Sequence, residues 1–482
     1  MQPKPAELHL GPADFVSRRA LLTAAALLPL GTRAWGAAPG PVAETAAGRV
    51  QGLDAGPVKV FRGIPYGAPT GGANRWRPPA PVEPWAGVRE AFTFGEMCPQ
   101  VPGAPMPEEA ALLQTGPMGE DCLRLNVWTP APSGRRAVMV WFHGGGMASG
   151  SGAALSTDGT RLAGRQDVVV VTVNHRLNVH GFLHLADLFG EAYAASGNVG
   201  MLDCVAALEW VRDNIAAFGG DPGRVMIFGQ AGGAAKVSTL MGMPLARGLF
   251  HSAAAHSGAA LRTGTRGNAH ANARRFIGLL GVRTPEELQA TPSERLIEAM
   301  TRSRLQFGPV VDGRVIAVDP FDLAGYALSR DIPLILGATA TEATFFPTTP
   351  LEPIGEARLR RVVQDYTRLD DPLVAQLIAG FREAHPGRPA HELAQLIISD
   401  FGIGDAVQIQ AERRAAQTGQ GWAPTWLYRF EQETPVREGR LHSPHTLEIP
   451  YVFDTLQQTK GVTGPYSAAN QGLADVMGAY WA

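Results

Sequence analysis

The sequence predicts an α/β fold: a mostly parallel central sheet, helices on both faces, and helical and loop insertions that cap it. Three observations carry this. Apolar runs of strand length recur at 137–142, 168–173, 225–228, 333–336 and 425–430, the pattern of strands buried on both faces. Helical patterns lie between them. Val205, Leu208, Val211 and Ile215 share one helical face ahead of the turn Phe218-Gly219-Gly220-Asp221-Pro222. Finally, the run Val225–Phe228 enters a glycine-pinched turn, Gly229-Gln230-Ala231-Gly232-Gly233, and leaves it through an alanine-rich helix start.

Length and charge agree with this class. A chain of 482 residues with 45% hydrophobic content can bury a large core. The net charge is −2 and there is no dense Lys/Arg block, so neither a nucleic-acid partner nor a charged membrane surface is expected. No internal repeat, low-complexity segment or composition break marks a second domain. Residues 37–482 are therefore expected to form one domain.

Residues 1–36 are expected to be a secretory signal. Ser17-Arg18-Arg19-Ala20-Leu21-Leu22 opens a short apolar stretch, and Ala34-Trp35-Gly36 places small residues at the two positions a signal peptidase reads. The paired arginines resemble a twin-arginine signal, which predicts a periplasmic or secreted protein. No other segment is long and apolar enough to span a bilayer. The three cysteines are Cys98, Cys122 and Cys204. An oxidising compartment favours one disulfide and one buried thiol. Cys98 and Cys122 bracket a Pro/Gly/Met-rich loop, and a bridge there would contribute ~3 kcal/mol. The alternative is two unpaired thiols.

After the leader the chain begins with short, turn-rich strands. Val60-Phe61-Arg62-Gly63-Ile64-Pro65-Tyr66 is one, and Cys122–Trp128 alternates apolar and polar residues as another. The stretches 268–304 and 356–417 read as helices and loops that cap the sheet.

Chemistry gathers in the segments that follow the buried strands. After Phe142 comes His143-Gly144-Gly145-Gly146. After Phe228 comes the glycine-pinched turn, and after Leu336 the segment that holds Glu342. After Phe430 the chain runs on to His445. In open parallel sheets, active groups collect beyond the carboxyl ends of the strands. The strand–turn–helix segment is the architecture of a nucleophile elbow, G-x-S-x-G. A serine at its tip would need a base, for which His445 is the candidate, and Glu342 would hold the imidazole. Gly145, Gly146 and Gly232 would offer N–H groups to an oxyanion. The order elbow, acid, histidine is that of α/β-hydrolases. His143 is expected to support its loop. His442 is a near competitor of His445. No His/Cys spacing suggests a metal, no phosphate-binding loop occurs, and no cofactor is expected.

The chain resembles the type-B carboxylesterases. The resemblance runs from about Val60 to the end. It rests on Phe61–Tyr66, Glu120-Asp121-Cys122-Leu123, Trp141–Gly146, Val171–Leu177, Asn198–Asp203, Phe218–Pro222 and His445–Phe453. It implies an ester hydrolase of small carboxylic esters, with His445 as base and Glu342 as acid. It further implies a Cys98–Cys122 disulfide, ion pairs Arg62–Glu120 and Arg176–Asp203, and Ser257 as a supporting serine near the acid.

The departures from that pattern matter more. Gln230 replaces a glutamate and Gly232 an alanine. Arg124, His175, His180 and Cys204 are further departures without an evident catalytic reason. The tip is Ala231, and a methyl group cannot attack a carbonyl. Ser238 lies about two helical turns beyond, too far to substitute. The chain as written is thus expected to have negligible turnover on a carboxylic ester hydrolase scaffold. The remaining apparatus is intact in type, which favours a recent or deliberate loss over long drift. The alternative is a non-catalytic protein that binds an ester-like ligand or a protein partner. The helical stripe Leu473, Val476, Met477 and Tyr480 stops near Ala482 without a cap signal, so the C-terminus is expected to be truncated.

Overall fold

Alternation along the central strands sorts their side chains into two cores. A computed structural model describes residues 38–101, 116–258 and 262–482; the expected leader 1–36 lies outside them. The strands are β1 (Ala38–Thr45), β2 (Gly48–Ala55), β3 (Val58–Pro65), β4 (Val88–Glu90), β5 (Arg124–Thr129), β6 (Arg136–Phe142), β7 (Val169–Val173), β8 (Gly220–Gln230), β9 (Ser252–His256), β10 (Gly264–Thr265), β11 (Val310–Val311), β12 (Leu334–Thr339) and β13 (Thr425–Phe430). One sheet runs β1-β2-β3-β5-β7-β6-β8-β9-β12-β13, with β4 beside β2; β10 and β11 pair separately.

The sheet is mixed. Its first part, through β5 to β7, is antiparallel apart from the β2–β4 pair. From β7 through β6, β8, β9 and β12 to β13 every neighbour is parallel. The mostly parallel expectation therefore describes the half that carries the site.

Val138, Val140 and Phe142 of β6 point to one face. There they meet Met201 and Leu208 of the helix Val199–Asn214 and Val237 of the helix Gly232–Met241. Met139 and Trp141 point to the other. They join Leu162 of the helix Thr160–Gln166 and Met477 and Trp481 of the helix Ala468–Trp481. Two further helical clusters have cores of their own. One is centred on Phe276, Leu288 and Leu296, the other on Leu359, Val374 and Leu393.

β9 is the strand that pattern reading misses. Its sequence, Ser-Ala-Ala-Ala-His, has helical rather than strand propensity. It nevertheless lies hydrogen-bonded between β8 and β12, with its alanines buried. The last helix also differs from expectation. Its buried residues are Ala474, Met477, Gly478 and Trp481, whereas Val476 and Tyr480 are exposed. The Trp481 indole donates to Nε2 of His256 at 2.8 Å, which anchors this helix to the end of β9.

Of three expected pairings, one forms and two resolve differently. Arg176 and Asp203 meet at 2.6 Å, both buried, as expected. Glu120, however, pairs with Arg75 at 2.5 Å and also accepts from the Ser293 hydroxyl. Arg62 instead lies over the Phe94 ring, because Arg75, just past the turn Gly72–Asn74, reaches the same carboxylate. Cys98 and Cys122 do not form the expected disulfide. Both are buried free thiols, 4.4 Å apart, and the Cys98 sulfur accepts the Leu177 N–H instead. Cys204 is a third buried thiol.

Candidate active site

β8 ends in the elbow, and its glycines are required by contact. A Cβ at Gly233 would overlap the Phe142 carbonyl oxygen, and one at Gly229 would stand 2.5 Å from the Gly233 carbonyl carbon. The turn can close only when both lack side chains. Ala231 takes φ 52 and ψ −119, a conformation that costs a non-glycine residue about 1–3 kcal/mol. Its N–H donates to the His256 carbonyl of β9, and its own carbonyl accepts from Ala235 in the helix that follows.

β6 ends in the glycine loop. Gly145 and Gly146 have φ +84 and +64, left-handed values that favour glycine. The Gly145 carbonyl accepts from Ala148 and Ser149, which turns the loop back on itself. Among the described residues, the N–H groups of Gly145, Gly146 and Gly232 donate no hydrogen bond. Beneath the loop the His143 ring stacks on His175 at 4.8 Å, and its Nδ1 lies 2.8 Å from the Gly144 carbonyl oxygen. Burial pushes His143 down to about 3, so it is neutral at physiological pH.

Glu342 opens the short turn after β12, and His445 lies on the loop after β13. Thr341 joins the two. Its N–H donates to the Ser443 carbonyl, its hydroxyl donates to the Leu441 carbonyl, and that hydroxyl accepts the Ser443 N–H. As a result Glu342 Oε2 stands 2.5 Å from His445 Nδ1, while its Oε1 accepts the Thr339 N–H at 2.7 Å. Both residues are buried. Nδ1–H donates to the carboxylate, which leaves Nε2 as an acceptor. Nε2 faces the Gln230 side-chain nitrogen at 3.0 Å, so the amide donates to it.

Ala231, Gly145, Gly146, Gly232 and His445 line one cavity of about 680 Å³. Glu342 stands behind His445. The chain segments that the sequence places after β6, β8, β12 and β13 thus meet at one sheet edge. His442 lies outside the cavity and faces Glu433. Ser238 turns away and accepts from Gln410. Ser257 donates to Glu448 at 3.4 Å rather than to Glu342. Burial, reinforced by the negative charge of Glu342, pushes the Glu448 carboxyl up to about 8.

Sequence reasoning gives three residues too small a role. Phe345 and Phe346, just after Glu342, read from the sequence as core packing first and as cavity lining second; both line the cavity and lie 5.6 and 5.4 Å from the His445 ring. Their adjacency to Glu342 was the available signal. Lys236 reads only as part of a helix start, yet it is wholly buried and its Nζ donates to the carbonyls of His143 and Gly146. A lysine one turn past an elbow, facing the sheet, was the signal there. Among the described residues, no cluster of His, Cys, Asp and Glu is arranged to hold a metal ion. No helix of theirs is long and apolar enough to cross a membrane.

Comparison with known proteins matches residues 39–482 to the carboxylesterase family. The chain is 34% identical over 430 residues to the para-nitrobenzyl esterase of Bacillus subtilis, covering 86% of this chain and 83% of that protein. It is 33% identical over 455 residues to the fumonisin B1 esterase of Sphingopyxis macrogoltabida, covering 91% and 81%. The solved carboxylesterase EST55 of Geobacillus stearothermophilus superposes with a TM-score of 0.78 at 37% identity, covering 91% of this chain and 89% of that one. With the α/β-hydrolase architecture and a cavity at the elbow in place, the chain belongs to the carboxylesterase family and has a carboxylic ester hydrolase scaffold.

Proposed function

We propose that this scaffold is built for serine-type acyl transfer from small carboxylic esters, and that the chain as written does not complete it, because its nucleophile position is Ala231. One observation carries the reading. His445, braced by Glu342 at 2.5 Å, stands at the same cavity as the elbow tip and the glycine loop. A serine at position 231 would give its proton to His445 Nε2 as its oxygen attacks the ester carbonyl. The N–H groups of Gly145, Gly146 and Gly232 would receive the oxyanion. The protonated His445, stabilised by Glu342, would then return the proton to the departing alcohol, and water would release the acid by the reverse steps.

With a methyl group at 231 no acyl-enzyme forms. Water activated by His445 then takes the place of the nucleophile, and it is slower by orders of magnitude. The relatives are named as esterases of para-nitrobenzyl and fumonisin B1 esters, which supports an ester substrate class without fixing the ester. Residues 1–36 are proposed as an export leader and 37–482 as the folded domain, which makes the mature protein periplasmic or secreted.

The test is Ala231→Ser assayed with p-nitrophenyl butyrate. Turnover is expected to rise by at least about 10³-fold over the unsubstituted chain. A correctly folded serine variant that stays inert overturns the reading.

A further inference from the structure

The ester chemistry leaves one buried group unused. Lys236 sits on the helix that leaves the elbow, and it is 0% exposed. Its Nζ has two partners, the carbonyl oxygens of His143 at 2.9 Å and Gly146 at 3.1 Å, both in the glycine loop. It forms no ion pair with a carboxylate among the described residues. Around it stand His143 at the end of β6, His175 after β7, and the Cys204 thiol on the helix Val199–Asn214. Burial keeps both imidazoles neutral and the thiol protonated. Burial also pulls the lysine down to about 8, so it is still an ammonium at neutral pH. An interior cation without a counter-charge is costly. The two carbonyls it holds belong to the loop that lines the cavity.

The cavity is rich in donors. The amides of Gly145, Gly146 and Gly232 have no acceptor among the described residues. The ligand that satisfies such a set accepts hydrogen bonds without donating any, which describes a carboxylate. Ala231 presents a methyl group where a serine oxygen would meet a carboxylate oxygen. One part of the lining is apolar, with Met147, Phe345, Phe346, Ile403 and Ile449, and suits a hydrocarbon tail.

We propose that the elbow cavity of this chain is a binding site for an apolar monocarboxylic acid in its anionic form. In it Lys236 is the positioning residue that fixes the glycine loop and supplies the opposing charge. The proposal rests on the acyl-pocket reading above and extends it to the product-like acid, which the chain holds rather than makes.

The test is calorimetric titration of the unsubstituted chain with octanoate and, as a neutral comparator of the same length, octanamide. Octanoate is expected to bind at least about tenfold more tightly at neutral pH. That preference is expected to vanish in Lys236→Met. Because that variant can also disturb the loop, a second measurement follows pH with Lys236 intact. Between roughly pH 6.5 and roughly pH 9.5 the octanoate affinity falls as the lysine loses its proton, while the octanamide affinity stays level, and the fall persists in Glu448→Gln, which removes the other buried group beside the cavity that titrates in this range. Equal affinity for the two ligands overturns the proposal, as does an octanoate affinity that ignores both pH and Lys236→Met. The ester reading is separable. If Ala231→Ser hydrolyses p-nitrophenyl butyrate while the anion preference is absent, only the carboxylate site falls. If octanoate is preferred and the serine variant is inert, only the ester reading falls.

Discussion

Ala231 keeps the strained backbone of an elbow tip, φ 52 with ψ −119, although the group that strain would present is gone. Around it the base is in place but engaged: His445 Nε2, the atom that would take a serine proton, already accepts the Gln230 amide at 3.0 Å. A serine restored at 231 must displace that bond. Removing the competitor in Ala231→Ser with Gln230→Leu is therefore expected to raise kcat over Ala231→Ser alone by about fivefold, the equivalent of one hydrogen bond of about 1 kcal/mol. Stopped assays with p-nitrophenyl butyrate on the two proteins check it, and an unchanged or lower kcat means that Gln230 supports the base instead of blocking it. Glu342→Gln in the Ala231→Ser background is expected to lower kcat by about 10³–10⁴-fold, because an amide no longer fixes the Nδ1 proton or stabilises the imidazolium. Steady-state kinetics would expose a merely structural carboxylate by a loss of less than about tenfold.

The elbow and the glycine loop are fitted to each other as elements. A Cβ on Gly232 would overlap the Gly146 carbonyl oxygen, the same oxygen that Lys236 holds at 3.1 Å. The loop is thus pinned from below in a position that needs glycine above it, although alanine is the residue expected there from the family pattern. Gly232→Ala is expected to force the loop away at a cost of about 1–3 kcal/mol. It should also weaken octanoate binding, read by denaturant unfolding and by calorimetry; unchanged stability would mean that the loop yields freely. Much of this arrangement was legible from element order. Strand, glycine loop, elbow, Glu342 and His445 follow one another in the sequence as they meet at the sheet edge. β9 was not legible, because three alanines carry no strand signature and only the narrow space between β8 and β12 makes them one. Partner choice was not legible either. Whether Glu120 takes Arg62 or Arg75, or Cys98 bonds to sulfur or to an amide, depends on approach distances that spacing does not encode.

Across the whole molecule, two buried titratable groups near the site leave a signature in stability against pH. The Glu448 carboxyl is held at about 8, against an ordinary 4.5, by burial and by Glu342. Between those values the unfolded chain has released this proton and the folded chain has not, so stability falls as pH rises from 4.5 to about 8. Lys236 acts in the opposite direction. Its ammonium is held at about 8, against an ordinary 10.5, so above pH 8 the folded chain sheds a proton that the unfolded chain keeps. Stability then rises from about pH 8 to 10.5, and the gap corresponds to about 3 kcal/mol carried as a cost at neutral pH. Part of that cost is offset by the carbonyls of His143 and Gly146, which would lose their donor in Lys236→Met. The unfolding free energy of the parent, followed by urea titration, is expected to show both limbs on top of the contributions of other groups. Glu448→Gln should flatten only the falling limb and Lys236→Met only the rising one. If the parent and Lys236→Met profiles run parallel above pH 8, the lysine is not a buried ammonium in solution. An interior cation that the fold carries at a loss is most simply explained by an anion that it meets in use, so saturating octanoate should recover stability below pH 8 and lose its effect above it.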